Sequence, residues 1–244
     1  MCDSCGCNHH HDDDHHHHHQ PTAKTVDVNA SLFAANNALA AVNREHFKEH
    51  GLIAINLVSS PGSGKTTLLE HTIDALQQEI KIGVIEGDIE TERDAERIRG
   101  KGVPVVQLTT GGACHLDAAM IHKGYHKLCE QPGGGDIQLL FIENVGNLVC
   151  PASFDLGEDL RVVLVSVPEG PDKPAKYPKA FSSSQVFVIS KCDLLPHFDF
   201  DCDSAIADAK KINPELTDIQ LSSTTGEGME AWLDFLRRAV KRVG

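Results

Sequence analysis

A chain of 244 residues is long enough for one α/β domain and an extension. Its 35 acidic residues outweigh 22 basic ones, and the formal charge of −13 excludes the basic footprint that a nucleic-acid-binding surface needs. No apolar run approaches the roughly 20 residues that cross a bilayer, and the first residues are polar, unlike the basic and apolar regions of a signal peptide. A soluble, cytoplasmic protein without membrane or nucleic-acid partners is expected. In that setting the eight cysteines read as metal ligands or buried thiols rather than disulfides.

Residues 1–28 open with Cys2-Asp3-Ser4-Cys5-Gly6-Cys7 and continue through His9 to His11, Asp12 to Asp14 and His15 to His19. So few apolar residues predict a tail that is disordered without a ligand. An interrupted histidine run behind a C-x-x-C-x-C opening is unlike an expression tag. Thiolates and imidazoles together suit Ni²⁺, Zn²⁺ and copper. Residues 29–50 read as a helix: Asn29 or Ser31 can cap it, Leu32, Phe33, Leu39, Val42 and Phe47 form an apolar stripe, and Gly51 ends it. Packing onto the following domain, or dimerisation, would use that stripe.

Residues 51–244 alternate short β-branched runs with helical patterns. Strands are predicted at 52–58, 80–86, 103–109, 137–143, 161–167, 185–190 and 218–222, and helices at 66–79, 91–100, 115–130, 201–212 and 226–242. Continuous apolar strands separated by helices mean an α/β fold with a mostly parallel sheet flanked by helices.

The first strand runs into Ser60-Pro61-Gly62-Ser63-Gly64-Lys65-Thr66-Thr67 and then a helix. Strand, glycine-rich turn, Gly-Lys-Thr and helix form the signature of a phosphate-binding loop, the hallmark of a P-loop NTPase. Gly62, Ser63 and Gly64 let backbone N–H groups curl around an anion at a helix N-terminus. Lys65 would reach the terminal phosphates, Thr66 would ligate Mg²⁺, and Thr67 completes the nucleotide-binding set. Ser59 departs from the pattern, which has glycine there.

Two further strands end in acids. Glu143, followed by Asn144-Val145-Gly146, occupies the place of the carboxylate that helps hold Mg²⁺, with Gly146 letting backbone approach the γ-phosphate. Asp88, with Asp94 as second choice, sits at the carboxyl edge of the sheet, where it could bind Mg²⁺ or position the attacking water. Lys65, Asp88 and Glu143 are thus the candidate catalytic residues. Base choice is signalled by Ser190-Lys191-Cys192-Asp193, close to the Asn-Lys-x-Asp of GTPases. Asp193 would accept from guanine and the Lys191 stem would stack on it, whereas adenine would leave the acid unpaired. Ser190 replaces the usual Asn. Ser222-Ser223-Thr224 follows the last strand, either supporting the base or capping a helix.

Cys114-His115 follows the third strand, and Cys150 lies seven residues after Glu143. Three such donors suggest a metal site whose fourth ligand comes from solvent, another side chain or a second subunit. Cys129, Cys192 and Cys202 lack neighbouring donors in sequence and read as structural.

Taken together, Cys-x-x-Cys-Gly-Cys, the histidine tract, Pro-Gly-Ser-Gly-Lys-Thr, Glu-Gly-Asp, Cys-His, Glu-Asn-Val-Gly-Asn-Leu-Val-Cys-Pro, Glu-Gly-Pro-Asp-Lys-Pro and Thr-Gly-Glu-Gly-Met make the chain resemble the HypB family over nearly its whole length. These GTPases, of the SIMIBI type, assist nickel insertion into [NiFe] hydrogenases. The resemblance implies a nickel site at Cys2, Cys5 and Cys7 and a nickel or zinc site at Cys114, His115 and Cys150. It also implies slow GTP-to-GDP hydrolysis, a GTP-promoted homodimer, and partnership with a HypA-type nickel chaperone and the hydrogenase large-subunit precursor. Two rivals are a urease-maturation GTPase of the UreG kind and a nickel-storage protein with a vestigial nucleotide site.

Overall fold

The apolar runs become seven strands: β1 (Ile53–Ser59), β2 (Ile82–Asp88), β3 (Val105–Thr109), β4 (Leu139–Glu143), β5 (Leu160–Ser166), β6 (Val186–Ser190) and β7 (Thr217–Gln220). The computed structural model describes the backbone of residues 23–88 and 93–242 and the side chains of 30–88 and 94–242. Cys2, Cys5, Cys7 and the histidine tract lie outside the described residues.

All the strands pair in parallel, in the order β3-β2-β4-β1-β5-β6-β7. Parallel strands need crossovers, and these are mostly helices: α1 (Ala23–Glu49) precedes the sheet, followed by α2 (Lys65–Leu76), α3 (Arg93–Arg99), α4 (Ala118–Cys129), α5 (Lys173–Lys176), α6 (Pro178–Ser182), α7 (Cys202–Ile212) and α8 (Met229–Lys241). Because side chains alternate along a strand, Ile53, Ile55 and Leu57 of β1 face α2, α3 and α8, with Trp232 fully buried among them. Ala54 and its neighbours on the other face meet Phe47 of α1 and Ile121, Tyr125 and Leu128 of α4. Farther along that face, Val163 and Val165 pack on α6 and α7.

Element ends moved for local reasons. α4 begins at Ala118 rather than 115 because Asp117 caps it, accepting from the Met120 amide, which leaves Cys114 and His115 in the loop. α8 starts only after Gly228, whose φ of 72° breaks the helix and whose absent Cβ would lie 2.0 Å from the Gln220 carbonyl. The short helices α5 and α6 were not legible as periodic segments; each carries a proline in its first turn.

One buried polar chain crosses the core. Asn56, in the middle of β1, is fully buried and donates to Glu158 Oε1 at 3.0 Å, while its carbonyl accepts from Asn144 Nδ2 at 3.2 Å. The Asn144 carbonyl in turn accepts from the Leu116 amide at 3.3 Å and from its neighbour Val145 at 3.0 Å. At the other end Arg161 pairs with Glu158 in the interior and donates to the carbonyls of Ala152 and Phe154 at 3.3 and 2.8 Å. Breaking a buried ion pair leaves an uncompensated charge, at a cost of about 3–5 kcal/mol. Arg161→Met is therefore expected to lower the urea midpoint by a shift equivalent to about 3–5 kcal/mol.

Candidate nucleotide and metal sites

Residues 60–64 link β1 to α2 in a tight turn that needs left-handed backbone at Gly62 (φ 73°) and Gly64 (φ 92°). The turn frames a cavity of about 480 Å³ lined by Pro61, Gly62, Gly64, Lys65, Thr66 and Thr67 on one side and by Glu86, Asp88, Asp94, Arg97 and Glu143 on the other. Lys65 is buried, and burial holds its ammonium below the ordinary lysine range against the pull of Glu143 and other acids. Its Nζ donates to Ser59 Oγ at 2.8 Å. The residue that departs from the glycine pattern thus supplies a resting acceptor for the lysine.

Thr66 Oγ1 donates to Glu143 Oε1 at 2.8 Å, and Glu143 Oε2 is buried without a hydrogen-bond partner. A buried carboxylate oxygen left open beside a threonine hydroxyl is a donor set that suits Mg²⁺, which prefers one or two carboxylates with phosphate oxygens and water. Burial raises the Glu143 carboxyl, opposed by Lys65 and the Thr66 hydroxyl.

Glu86 was not singled out from sequence, yet it lines the same cavity, is buried, and leaves Oε2 unpartnered. Burial first, then Glu143, Asp88 and Asp94, push its carboxyl up to about 8. Its signal was present in Glu-Gly-Asp, but an acid within β2 could be placed at the cavity only once the strands were aligned: Glu86 stands beside Glu143 in the β2–β4 register. Arg97, also unforeseen, pairs with Glu70 and Asp94 at the cavity rim. Glu169 is a third addition. Burial alone would raise it, but the Ser166 amide and the hydroxyls of Ser60, Ser63 and Ser166 hold it below its ordinary value, so it anchors the phosphate loop as an anion.

A second cavity of about 140 Å³ adjoins the first, sharing Gly64, Thr67 and Lys191 and lined further by Ser63, Ser190, Asp193, Leu194, Ser223 and Thr224. Lys191 holds a left-handed backbone at φ 59°, and its ammonium donates to the Gly62 carbonyl at 2.7 Å. Ser190, in place of Asn, donates to the Ser63 carbonyl at 2.7 Å and so ties β6 to the phosphate loop. Ser222 is fully buried behind the cavity, where its hydroxyl donates to Asp193 Oδ1 at 2.5 Å. It steadies the acid, while Ser223 and Thr224 face the space itself.

Cys114, His115 and Cys150 come together. Their ligand atoms all lie within 4.8 Å of one another, with the Cys114 thiol 2.8 Å from Cys150 Sγ and 3.9 Å from His115 Nδ1. The His115 ring stacks on Phe154 at 3.9 Å between centroids, and Asn147 Nδ2 donates to the Cys114 carbonyl at 3.2 Å, which joins the two loops. Burial lowers the His115 imidazole, against Asp117, and so favours the neutral ring that ligates metals. The thiol contact from Cys114, followed by burial, raises Cys150. Two thiols and one imidazole form an incomplete tetrahedral donor set for a borderline cation such as Zn²⁺ or Ni²⁺. The loop that carries Cys150 also touches the phosphate loop: a Cβ on Gly146 would lie 3.0 Å from Pro61 Cα.

The family described as CobW/HypB/UreG, nucleotide-binding domain, matches residues 53–220. Hydrogenase maturation factor HypB of Rhizobium leguminosarum bv. viciae is 49% identical over 223 residues, spanning 89% of this chain and 73% of that protein. The chain belongs to the HypB family. Hydrogenase/urease maturation factor HypB of Helicobacter pylori (strain ATCC 700392 / 26695) is 42% identical over 213 residues, 87% of either chain. The crystal structure of HypB from Helicobacter pylori in complex with nickel superposes with a TM-score of 0.82 at 42% identity, over 85% of this chain and 96% of that one. The α/β P-loop NTPase fold of this HypB-family chain agrees with the expectation from its sequence.

The raised Glu86 carboxyl has a sign. A carboxyl that is harder to ionise in the folded state adds stability below its unfolded value near 4.5, and that stability is lost as pH rises through about 8. In the Mg²⁺- and nucleotide-free protein the melting temperature should therefore fall between pH 6 and 8.5, and Glu86→Gln should flatten that fall; superimposable melting curves for the two proteins would contradict it.

Proposed function

We propose that the chain is a GTP-hydrolysing nickel metallochaperone that assists nickel insertion into the large-subunit precursor of a [NiFe] hydrogenase. The observation that carries this reading is the direct contact between the phosphate loop and the loop bearing Cys150, at Gly146 and Pro61, backed by the Asn144 bond to the Leu116 amide just beyond Cys114-His115. A change at the phosphate cavity has a short covalent and hydrogen-bonded path to the three metal donors.

In this reading the backbone of residues 61–67 holds the phosphates and Lys65 leaves Ser59 to offset their charge. Asp193, steadied by Ser222, accepts from guanine, and the Lys191 stem covers the base. Mg²⁺, held by Thr66, Glu143 and Asp88, would neutralise charge on the phosphate oxygens. Asp88 serves either in that way or by positioning the attacking water, and Glu86 lines the same cavity. Hydrolysis to GDP is slow and serves as a timer for loop conformation. The cargo Ni²⁺, or Zn²⁺ in its place, binds at Cys114, His115 and Cys150; Cys2, Cys5 and Cys7 form the N-terminal nickel site. Val149, 59% exposed beside Cys150, and Leu32, 54% exposed on α1, are apolar surface that supports a GTP-promoted homodimer completing the metal site. A HypA-type chaperone and the hydrogenase precursor are the partners, in the cytoplasm.

The name of the Helicobacter pylori relative, which includes urease, favours a second reading in which the same nickel is delivered to urease maturation. Deletion strains assayed for both enzymes, with and without added nickel, separate the two.

Two measurements test the machinery. Equilibrium Ni²⁺ binding with GDP and with a non-hydrolysable GTP analogue should give different affinities, and by linkage Ni²⁺ should change analogue affinity by the same factor; Cys114→Ala should abolish the difference, and equal affinities throughout would refute the coupling. Asp193→Ala removes a charged acceptor worth about 1.5–3 kcal/mol per hydrogen bond. GDP affinity is expected to fall about 100-fold, with the preference over ADP largely lost.

A further inference from the structure

A second group of metal donors lies between the two helices, formed by His46 of α1 and His122 and His126 of α4. One nitrogen from each of the three imidazoles falls within 4.8 Å of the others, and the group contains neither thiolate nor carboxylate. His122 and His126 are four residues apart and so share a helix face, with Nε2 atoms 3.3 Å apart. The His46 ring completes the group, 5.3 Å from His122 and 5.7 Å from His126 between centroids.

The orientation of the central ring follows from a buried neighbour. Asn43 is 1% exposed, and its amide nitrogen donates to the carbonyls of Ala118 at 2.9 Å and Leu156 at 3.0 Å. Both amide hydrogens are thereby used, so Asn43 Oδ1 faces His122 Nδ1, 3.0 Å away, as an acceptor. His122 Nδ1 must then carry the proton, and Nε2 presents its lone pair toward His126. A second hydrogen bond that fixes tautomer and ring plane is the usual support of a metal-ligating histidine. Burial, then the nearby His126 and His46, hold the His122 imidazole below its ordinary value.

We propose that His46, His122 and His126 form an additional metal site of the folded domain, which takes a divalent late transition cation such as Zn²⁺ or Ni²⁺ and keeps one coordination position open. Two imidazole nitrogens each about 2.0–2.1 Å from a tetrahedral ion stand about 3.3 Å apart, which is the separation already present between His122 and His126. An all-imidazole set favours such ions over Mg²⁺ or Ca²⁺. Exposed His126 gives the ion a path in, and the open position accepts water or a donor from elsewhere. Occupancy would staple α1 to the helix that begins three residues after His115, so metal here stiffens the element beside the cysteine site.

The test counts metal and reads it locally. Full-length protein is dialysed to equilibrium against Zn²⁺ and, separately, Ni²⁺, and bound metal is measured by elemental analysis. The wild type is compared with His122→Gln/His126→Gln and with Cys114→Ser/Cys150→Ser. The histidine variant is expected to lose one ion per chain, and the loss should add to that of the cysteine variant. Amide hydrogen exchange supplies the position: metal should slow exchange across 43–50 and 120–128 in the wild type and in the cysteine variant, and not in the histidine variant. Equal metal counts together with unchanged exchange in the histidine variant would overturn the proposal. If that variant does not fold, His46→Gln decides by the same two measurements, with metal protection of 43–50 weakened at least about tenfold in metal concentration or else the site rejected.

Discussion

The arrangement depends on the burial of Asn56. An amide inside the otherwise apolar stretch of β1 has to satisfy both of its ends, because an unpaired polar group in the interior costs more than the bond it would make. Its donor end goes to Glu158 and its acceptor end to Asn144, and those two bonds recruit Arg161 and the Leu116 amide. The result is one hydrogen-bonded chain running across the sheet from the loop after β3 to the loop before β5. Each loop that carries a metal donor is fastened to it: Leu116 follows Cys114-His115, and the carbonyls of Ala152 and Phe154 follow Cys150. An apolar residue in place of Asn56 would leave Asn144 and Glu158 each short of a partner and these loops without a shared reference.

The same central strand ends at the phosphate loop, which places two chemistries on one edge of the sheet. At that edge Glu86, Asp88, Asp94 and Glu143 line one cavity with Lys65, Thr66 and Arg97, Thr66 bonded to Glu143 and Arg97 paired with Asp94. Burial first and then the neighbouring acids raise the Glu86 carboxyl, and Glu143 Oε2 is buried without a hydrogen-bond partner. The same cavity edge meets the loop that carries Cys150, where a Cβ on Gly146 would lie 3.0 Å from Pro61 Cα.

α1 is more than a lid on the core. Asn43, Asn36 and Arg44 bind it to the carbonyls and carboxylate of the 155–156 turn and to the start of α4. The helix thus shares the loop system that carries Cys150, and its histidine faces those of α4. Leu32, Phe33 and Val42 of α1 and Val149 beside Cys150 keep their apolar side chains exposed.

The glycine turn between β1 and α2, the seven strands and the longer helices, the acid that ends β4 and the adjacent Cys114-His115 pair were legible in the sequence, because each rests on residue types at fixed short spacing: a glycine turn ahead of Gly-Lys-Thr, β-branched runs, an acid at a strand end. The strand order across the sheet was not legible, nor was anything that follows from it. Glu86 joins the cavity only because β2 lies beside β4; Ser59 and Ser190 receive roles only because Lys65 and Ser63 fold back onto them. Ser222 turns out to stand behind Asp193, a matter of which way one residue of a turn faces. His46 and His122 are 76 positions apart in the chain, a separation at which no local pattern survives. Short-range chemistry is written in spacing, whereas long-range proximity is decided by which apolar faces the sheet and helices bury together.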